Sequence, residues 1–410
     1  MIARAALQTM TVRGVALGAS LVSSIVTARA LGPTGRGTYY YVLMLGGLAV
    51  QFSNLGLHAS NTYLVAQDQK RFAPLLGNSM WASLVAASVM SAVVLWLSLP
   101  TIRAAQVGSS ALWAFVYAPC ALFVQLVGNL FVGAGRVAIY NAIQLASGLL
   151  ALAAICLAGL LGGTVNSFLG ALVASMLAAA SLALVCGIKV GGIELRFNRE
   201  YFVLGLRYAA KAFVVSLLSF AFTRANVFVL AGSSEAQQLG IYSVAMQFFD
   251  VLSIVPVSIS TVLFPSLFSS ENQWRDATRS AVVTAMLMIP VCVVVACVAE
   301  PLIVHVFGPD FGPAAAVTQW ILPAAVFMAV ASVLSQYLAV CGYPAGLMVI
   351  WGAAVVLVVV ACGCLAPSFG AAGAAISLSA TYAIVVLAIV YMAWRVSRSQ
   401  RLTAIHGVRI

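Results

Sequence analysis

Two charged side chains lie where charge is costly. Asp250 lies about ten residues inside an apolar stretch, among Phe248, Phe249, Val251 and Leu252, and Arg224 stands near the end of the preceding apolar stretch. An ionised carboxylate at the centre of a membrane helix costs about 2.5–3.5 kcal/mol on insertion scales. A chain that keeps one there uses it as the ion-pair partner of Arg224 or Lys211, as a ligand of a coupling cation, or as a proton carrier. Gln247, one turn back, shares its surroundings.

Four more basic residues, Arg13, Arg29, Arg207 and Lys211, lie in or beside apolar runs, so five bases face the single acid Asp250. Guanidinium groups stay charged and bind phosphate oxygens in pairs. The set therefore suits an anionic cargo better than a cationic drug. The competing reading is that these long side chains snorkel to the interface. Arg207 and Lys211 are four residues apart and share a helix face, so they act jointly in either case. Asn54, Asn61, Gln125, Asn129, Asn141 and Gln144 either bond helix to helix or line a substrate path. Tyr39, Tyr40 and Tyr41 read as an interfacial aromatic belt, with sugar stacking as the alternative.

Enzyme signatures are missing from the chain. His58, His305 and His406 are far apart, and there is no paired-carboxylate, P-loop or HExxH pattern. Energy would then come from an ion gradient, the membrane potential or consumption of the product. The eight cysteines have neither zinc-site nor CxxC spacing and read as small core residues. No cofactor or metal is expected.

The elements that must position these residues follow from composition. The 410-residue chain is 63% hydrophobic and 7% charged, whereas a soluble domain carries about 25% charged residues. Its solvent is lipid. Continuous apolar runs argue for helices rather than the alternating strands of a membrane β-barrel. The fold expected is all-α, with about twelve transmembrane helices at 8–30, 37–66, 75–99, 110–132, 137–161, 168–188, 205–231, 239–268, 277–299, 314–340, 347–366 and 371–394. The N-terminal run is too long for a signal peptide.

The net charge of +11 lies in short links and helix ends, which is topology information rather than a nucleic-acid face. With the N-terminus in the cytoplasm, thirteen bases fall inside, while Arg36 and Arg103 fall outside. The polar stretch from Lys189 to Tyr208 divides the spans six and six. The domains expected are an N-terminal lobe (1–188), a cytoplasmic linker (189–204), a C-terminal lobe (205–395) and a cytoplasmic tail (396–410). The links at 30–39 and 230–242 are both Gly-rich and both close on Gly-x-Tyr, which suggests a parallel internal repeat. Pro256, Pro265, Pro290 and Pro323 punctuate the second half as kinks, static or bending.

The residues also resemble a known family. Arg29-Ala30-Leu31-Gly32-Pro33 with Gly35-Arg36-Gly37 and Tyr39 looks like the first inter-helix link of the bacterial polysaccharide transporters. These are the O-antigen and capsule-unit flippases, in the superfamily that also holds multidrug extruders and the lipid II flippase. Phe52-Ser53-Asn54-Leu55-Gly56-Leu57, Gly240-Ile241-Tyr242-Ser243-Val244-Ala245 with Leu263-Phe264-Pro265, Pro301-Leu302-Ile303 with Phe307-Gly308-Pro309-Asp310-Phe311, and Tyr337-Leu338-Ala339-Val340-Cys341-Gly342 follow in the family's order. The resemblance implies two six-helix bundles around a central cavity in the inner membrane. It implies an undecaprenyl-diphosphate-linked oligosaccharide moved between leaflets for lipopolysaccharide or capsule assembly. Partners would be membrane lipids, the polymerase and ligase of the same pathway, and a coupling proton or sodium ion. It carries the diphosphate-binding role to Arg29 and Arg224. Members with two extra helices are common, and this chain has only the twelve-helix core. Two other functions fit less well: a cation-coupled drug exporter, and a membrane glycan polymerase or ligase, which would need a large outer loop.

Overall fold

A computed structural model shows an all-helical chain. It describes residues 2–405 apart from 193, 269, 271 and 343. The side chains of 2–11, 13, 211, 212, 261, 262, 264–266, 268 and 399–405 lie outside the description. In lipid every backbone N–H and C=O must be satisfied within the segment, so apolar runs of this length become helices.

The helices are α1 (Ile2–Asn54), α2 (Leu57–Gln67), α3 (Phe72–Trp81), α4 (Ala87–Leu97), α5 (Leu99–Ala104), α6 (Trp113–Gly133), α7 (Val137–Leu160), α8 (Val165–Gly191), α9 (Arg199–Ser233), α10 (Ala236–Phe268), α11 (Gln273–Phe307), α12 (Ala314–Val340) and α13 (Ala345–Ile405). A π-helical turn, Ala82–Ala86, joins α3 to α4. Among the described residues ten helical stretches are long and apolar enough to cross a membrane. Two of them are double. α1 breaks only at Gly32 (φ 63) and α13 only at Gly370 (φ 55), both in the left-handed region that glycine alone adopts cheaply. With each limb counted as a span, the twelve expected spans are present.

The chain divides into two compact units. The first holds Met1–Leu217 and Glu235–Gly240, and the second holds Leu218–Ser234 and Ile241–Ile410. In the first unit α2, α3, α6 and α8 enclose a core of Leu64, Leu76, Phe131, Ala179 and Ala183. The polar stretch after α8 is fastened to α3. Asn78 Nδ2 donates to the Asn198 carbonyl at 2.8 Å, the Asn198 N–H donates back to Asn78 Oδ1 at 2.7 Å, and Trp81 Nε1 donates to the Leu195 carbonyl at 2.7 Å. In the second unit Phe222, Tyr242, Phe311, Tyr337 and Tyr382 are among the largest buried side chains. Val282, Met286, Ile289 and Val293 of α11 are exposed apolar residues, as a lipid-facing surface requires.

Three expectations are corrected. The link at 30–39 is not a loop: it is helical except at Gly32, with Pro33 starting the second limb, where its missing N–H costs nothing. Arg36 therefore is not an outer-loop residue. Tyr39, Tyr40 and Tyr41 are all buried, so they form neither an interfacial belt nor a sugar surface; they are the core between the limbs of α1 and their neighbours. Of the cysteines only Cys292 and Cys362 are buried, while Cys297 and Cys364 are exposed. A thiol is apolar enough for a lipid-facing position as well as a core.

Candidate functional site

Arg224 and Asp250 come together in the second unit. Arg224 Nη2 donates to both carboxylate oxygens of Asp250, at 2.8 and 3.0 Å. The Asp250 side chain is 48% exposed and that of Arg224 18%. The pair is positioned by its aromatic neighbours. Phe222, two residues before Arg224, meets Tyr382 edge-on with ring centroids 4.6 Å apart, and Phe249, next to Asp250, lies 6.1 Å from the same ring. Tyr382 thus braces α9 and α10 from α13. Asn226 Nδ2 donates to the Tyr242 hydroxyl, which ties α9 to α10 again, nearer their connecting turn. Aromatic rings flank the pair, and the carboxylate is half exposed.

The first unit holds Arg29 and Arg207. Arg29 is exposed on α1, just before the Gly32 break, and Arg207 is exposed on the first turns of α9. They do not form one cluster. Arg207 lies beside the α2–α9 contact, where Gly205 meets Ser60. The whole second limb of α1, about 30 Å of helix at 1.5 Å per residue, runs between that contact and Arg29. One diphosphate cannot touch both. The side chains of Arg13 and Lys211 lie outside the described residues.

Arg36 is the charged residue that sequence reading misplaced. It is only 7% exposed. Its Nη2 donates to Ser24 Oγ at 2.7 Å and its Nη1 to Thr27 Oγ1, and the guanidinium carbon lies 5.8 Å from the Tyr39 ring centroid. It reaches back across the Gly32 break and fastens one limb of α1 to the other. The signal available in the sequence was the pair of hydroxyls nine and twelve residues upstream, which gains meaning only once the break folds the limbs together.

The amides separate into roles. Asn61 Nδ2 donates to Ser79 Oγ at 3.0 Å and to the Leu126 carbonyl at 3.3 Å, and Thr62 Oγ1 donates to Asn129 Oδ1 at 3.2 Å. Both bond helix to helix. Asn54 instead pairs with His58 across the second break, where Leu55 (φ 48) and Gly56 (φ 76) interrupt the span. Among the described residues no group of three His, Cys, Asp or Glu is placed to hold a metal.

Fold and charge placement together define a multi-pass helical membrane protein built from two helical units. Its sequence matches the model of the polysaccharide biosynthesis protein family over residues 2–271, and the chain belongs to that family. No curated protein matches the sequence. Solved structures share the fold. The lipid II flippase MurJ in an inward closed conformation superposes with a TM-score of 0.76 at 13% identity, over 97% of this chain and 91% of that one. An inward-facing multidrug resistance MATE family transporter of the MOP superfamily gives 0.75 at 14% identity, over 93% and 95%. A MOP superfamily transporter from Pyrococcus furiosus, with a binding pocket of reverse polarity, gives 0.66 at 14% identity, over 97% and 95%. At such identities the likeness carries the fold alone.

Proposed function

We propose that this protein is a flippase, moving a polyprenyl-diphosphate-linked oligosaccharide from the inner to the outer leaflet of the cytoplasmic membrane for surface polysaccharide assembly. The observation that carries this is the half-exposed Arg224–Asp250 pair. A guanidinium paired with a half-exposed carboxylate is a stored anion site, and a diphosphate, with more charge and more oxygens than one carboxylate, displaces Asp250 from it. Exposed Arg29 and Arg207 supply further stations. Family membership supports the pathway. The excess of basic residues at one set of helix ends supports a cytoplasmic location for both termini, and the burial of Arg36 strengthens it by removing one of the two outer bases.

In a strain lacking this gene but keeping its glycosyltransferases, complete lipid-linked units should accumulate on the cytoplasmic face while surface glycan is lost. The double variant Arg29→Gln/Arg224→Gln should behave like the deletion while remaining folded and membrane-inserted. Wild-type surface glycan in either strain would overturn the proposal. A second reading, a cation-coupled multidrug exporter, is favoured by the exposure of Asp250. It predicts normal glycan, new sensitivity to cationic dyes on deletion, and complete loss of export in Asp250→Asn alone.

A further inference from the structure

Resting on that reading, we propose that Tyr63 and Tyr208 form a sugar-stacking platform that receives a pyranose ring of the lipid-linked glycan. Tyr63 lies on α2 and Tyr208 on α9. Their rings are parallel to within 7°, with centroids 4.0 Å apart, and they are 39% and 53% exposed. Paired aromatic rings commonly sit about 4.5–7 Å apart, so this pair is unusually close.

The helices force it. α2 and α9 run in opposite directions: Gly56 lies against Ala209 and Ser60 against Gly205, where an added Cβ would come within 2.6 Å of Ala209 Cβ and 2.7 Å of Ser60 Oγ. Side chains on a helix lean toward its N-terminus. On antiparallel helices Tyr63 and Tyr208 therefore lean toward each other and meet beside the glycine seam. The seam fixes the ring planes in advance, which lowers the ordering cost of binding.

The surroundings fit a glycosylated anion rather than hydrocarbon. Exposed Arg207 immediately precedes Tyr208. Tyr201, two turns before Tyr208 and so about 10.5 Å along the same helix face, carries the Arg71 guanidinium 5.6 Å from its ring centroid. Aromatic rings thus recur along one face of α9, with the Arg71 cation over the first and Arg207 adjacent in the chain to the second. The C–H face of a pyranose stacks on an aromatic ring, its hydroxyls stay at the rim, and an adjacent cation takes the diphosphate oxygens.

The test is binding to purified full-length protein in nanodiscs. The probes are the lipid-linked oligosaccharide accumulated by the deletion strain and bare undecaprenyl diphosphate. Wild type should bind the glycosylated lipid more tightly. Tyr208→Ala and Tyr63→Ala should each weaken that lipid about two- to tenfold and leave the bare diphosphate unchanged, whereas Tyr208→Phe should keep wild-type affinity for both. Retention of the glycan advantage in both alanine variants would overturn the platform and leave the flippase reading intact, as would equal weakening toward both lipids. Failure of wild type to bind either lipid above undecaprenol would overturn both.

Discussion

Neutralising Arg224 separates two accounts of the central ion pair by magnitude. In Arg224→Gln the Asp250 carboxylate loses its 2.8 and 3.0 Å donor. If the half-exposed face of Asp250 meets water, solvent takes over: pairs this exposed contribute about 0.2–1 kcal/mol, and the variant should lose no more than that. If the same face meets lipid, the bare carboxylate bears the insertion cost of about 2.5–3.5 kcal/mol. Adding Asp250→Asn would then restore most of the loss. A substrate site requires the first outcome, so the expectation is a stability change of about 1 kcal/mol or less together with loss of glycan translocation. The assay is reversible unfolding in bicelles of the wild type, both single variants and the double variant, which gives the coupling energy directly. A loss near 3 kcal/mol that the double variant repairs would make the pair a structural bond facing lipid and refute the reasoning.

Other outcomes follow from the packing. Gly37→Ala and Gly240→Ala should each cost about 1–3 kcal/mol: a Cβ would stand 1.7 Å from the Ala236 carbonyl oxygen in one and 1.8 Å from the Pro33 carbonyl oxygen in the other, and backbone cannot step aside as a side chain does. Thermal unfolding checks both, and a wild-type midpoint in either would contradict the close approach. Gly32→Ala meets nothing within 4 Å but sits at φ +63, so it should cost about 1 kcal/mol from backbone strain alone. Asn61→Leu breaks the bonds to Ser79 and Leu126 and should lose about 0.6 kcal/mol, the average for interhelical bonds in membranes, and no more than about 1.7 kcal/mol, their maximum. Arg36→Lys cannot reproduce two separately directed donors and should destabilise by about 1–3 kcal/mol, whereas substitution of exposed Arg103 should leave unfolding unchanged.

The number of spans was legible because apolar length is a one-dimensional property and lipid leaves helices as its only reading in a chain without alternation. Asp250 and Arg224 were legible for the same reason: a charge in an apolar run stands out, and the turn between α9 and α10 makes the two helices neighbours. Arg36 was not, because the link around it has the Gly-Pro-Gly composition of a loop while the backbone departs from helix only at Gly32. Tyr39, Tyr40 and Tyr41 were misread on the same ground, since a belt at a helix end and a core at a tight hairpin have the same composition. The Tyr63–Tyr208 stack joins residues 145 positions apart. It depends on glycines at 56 and 205 whose use as a seam shows only when α2 and α9 are laid together.

The claim that this protein flips a lipid-linked glycan is tested most directly with the purified protein alone. Vesicles carrying the full chain would be loaded with the lipid-linked oligosaccharide from the deletion strain, and its arrival at the opposite leaflet read by a membrane-impermeant glycosidase or lectin. Protein-dependent movement without ATP, abolished in Arg29→Gln/Arg224→Gln, is the predicted result. Movement no faster than in empty vesicles, under an imposed proton or sodium gradient as well as without one, would contradict the account.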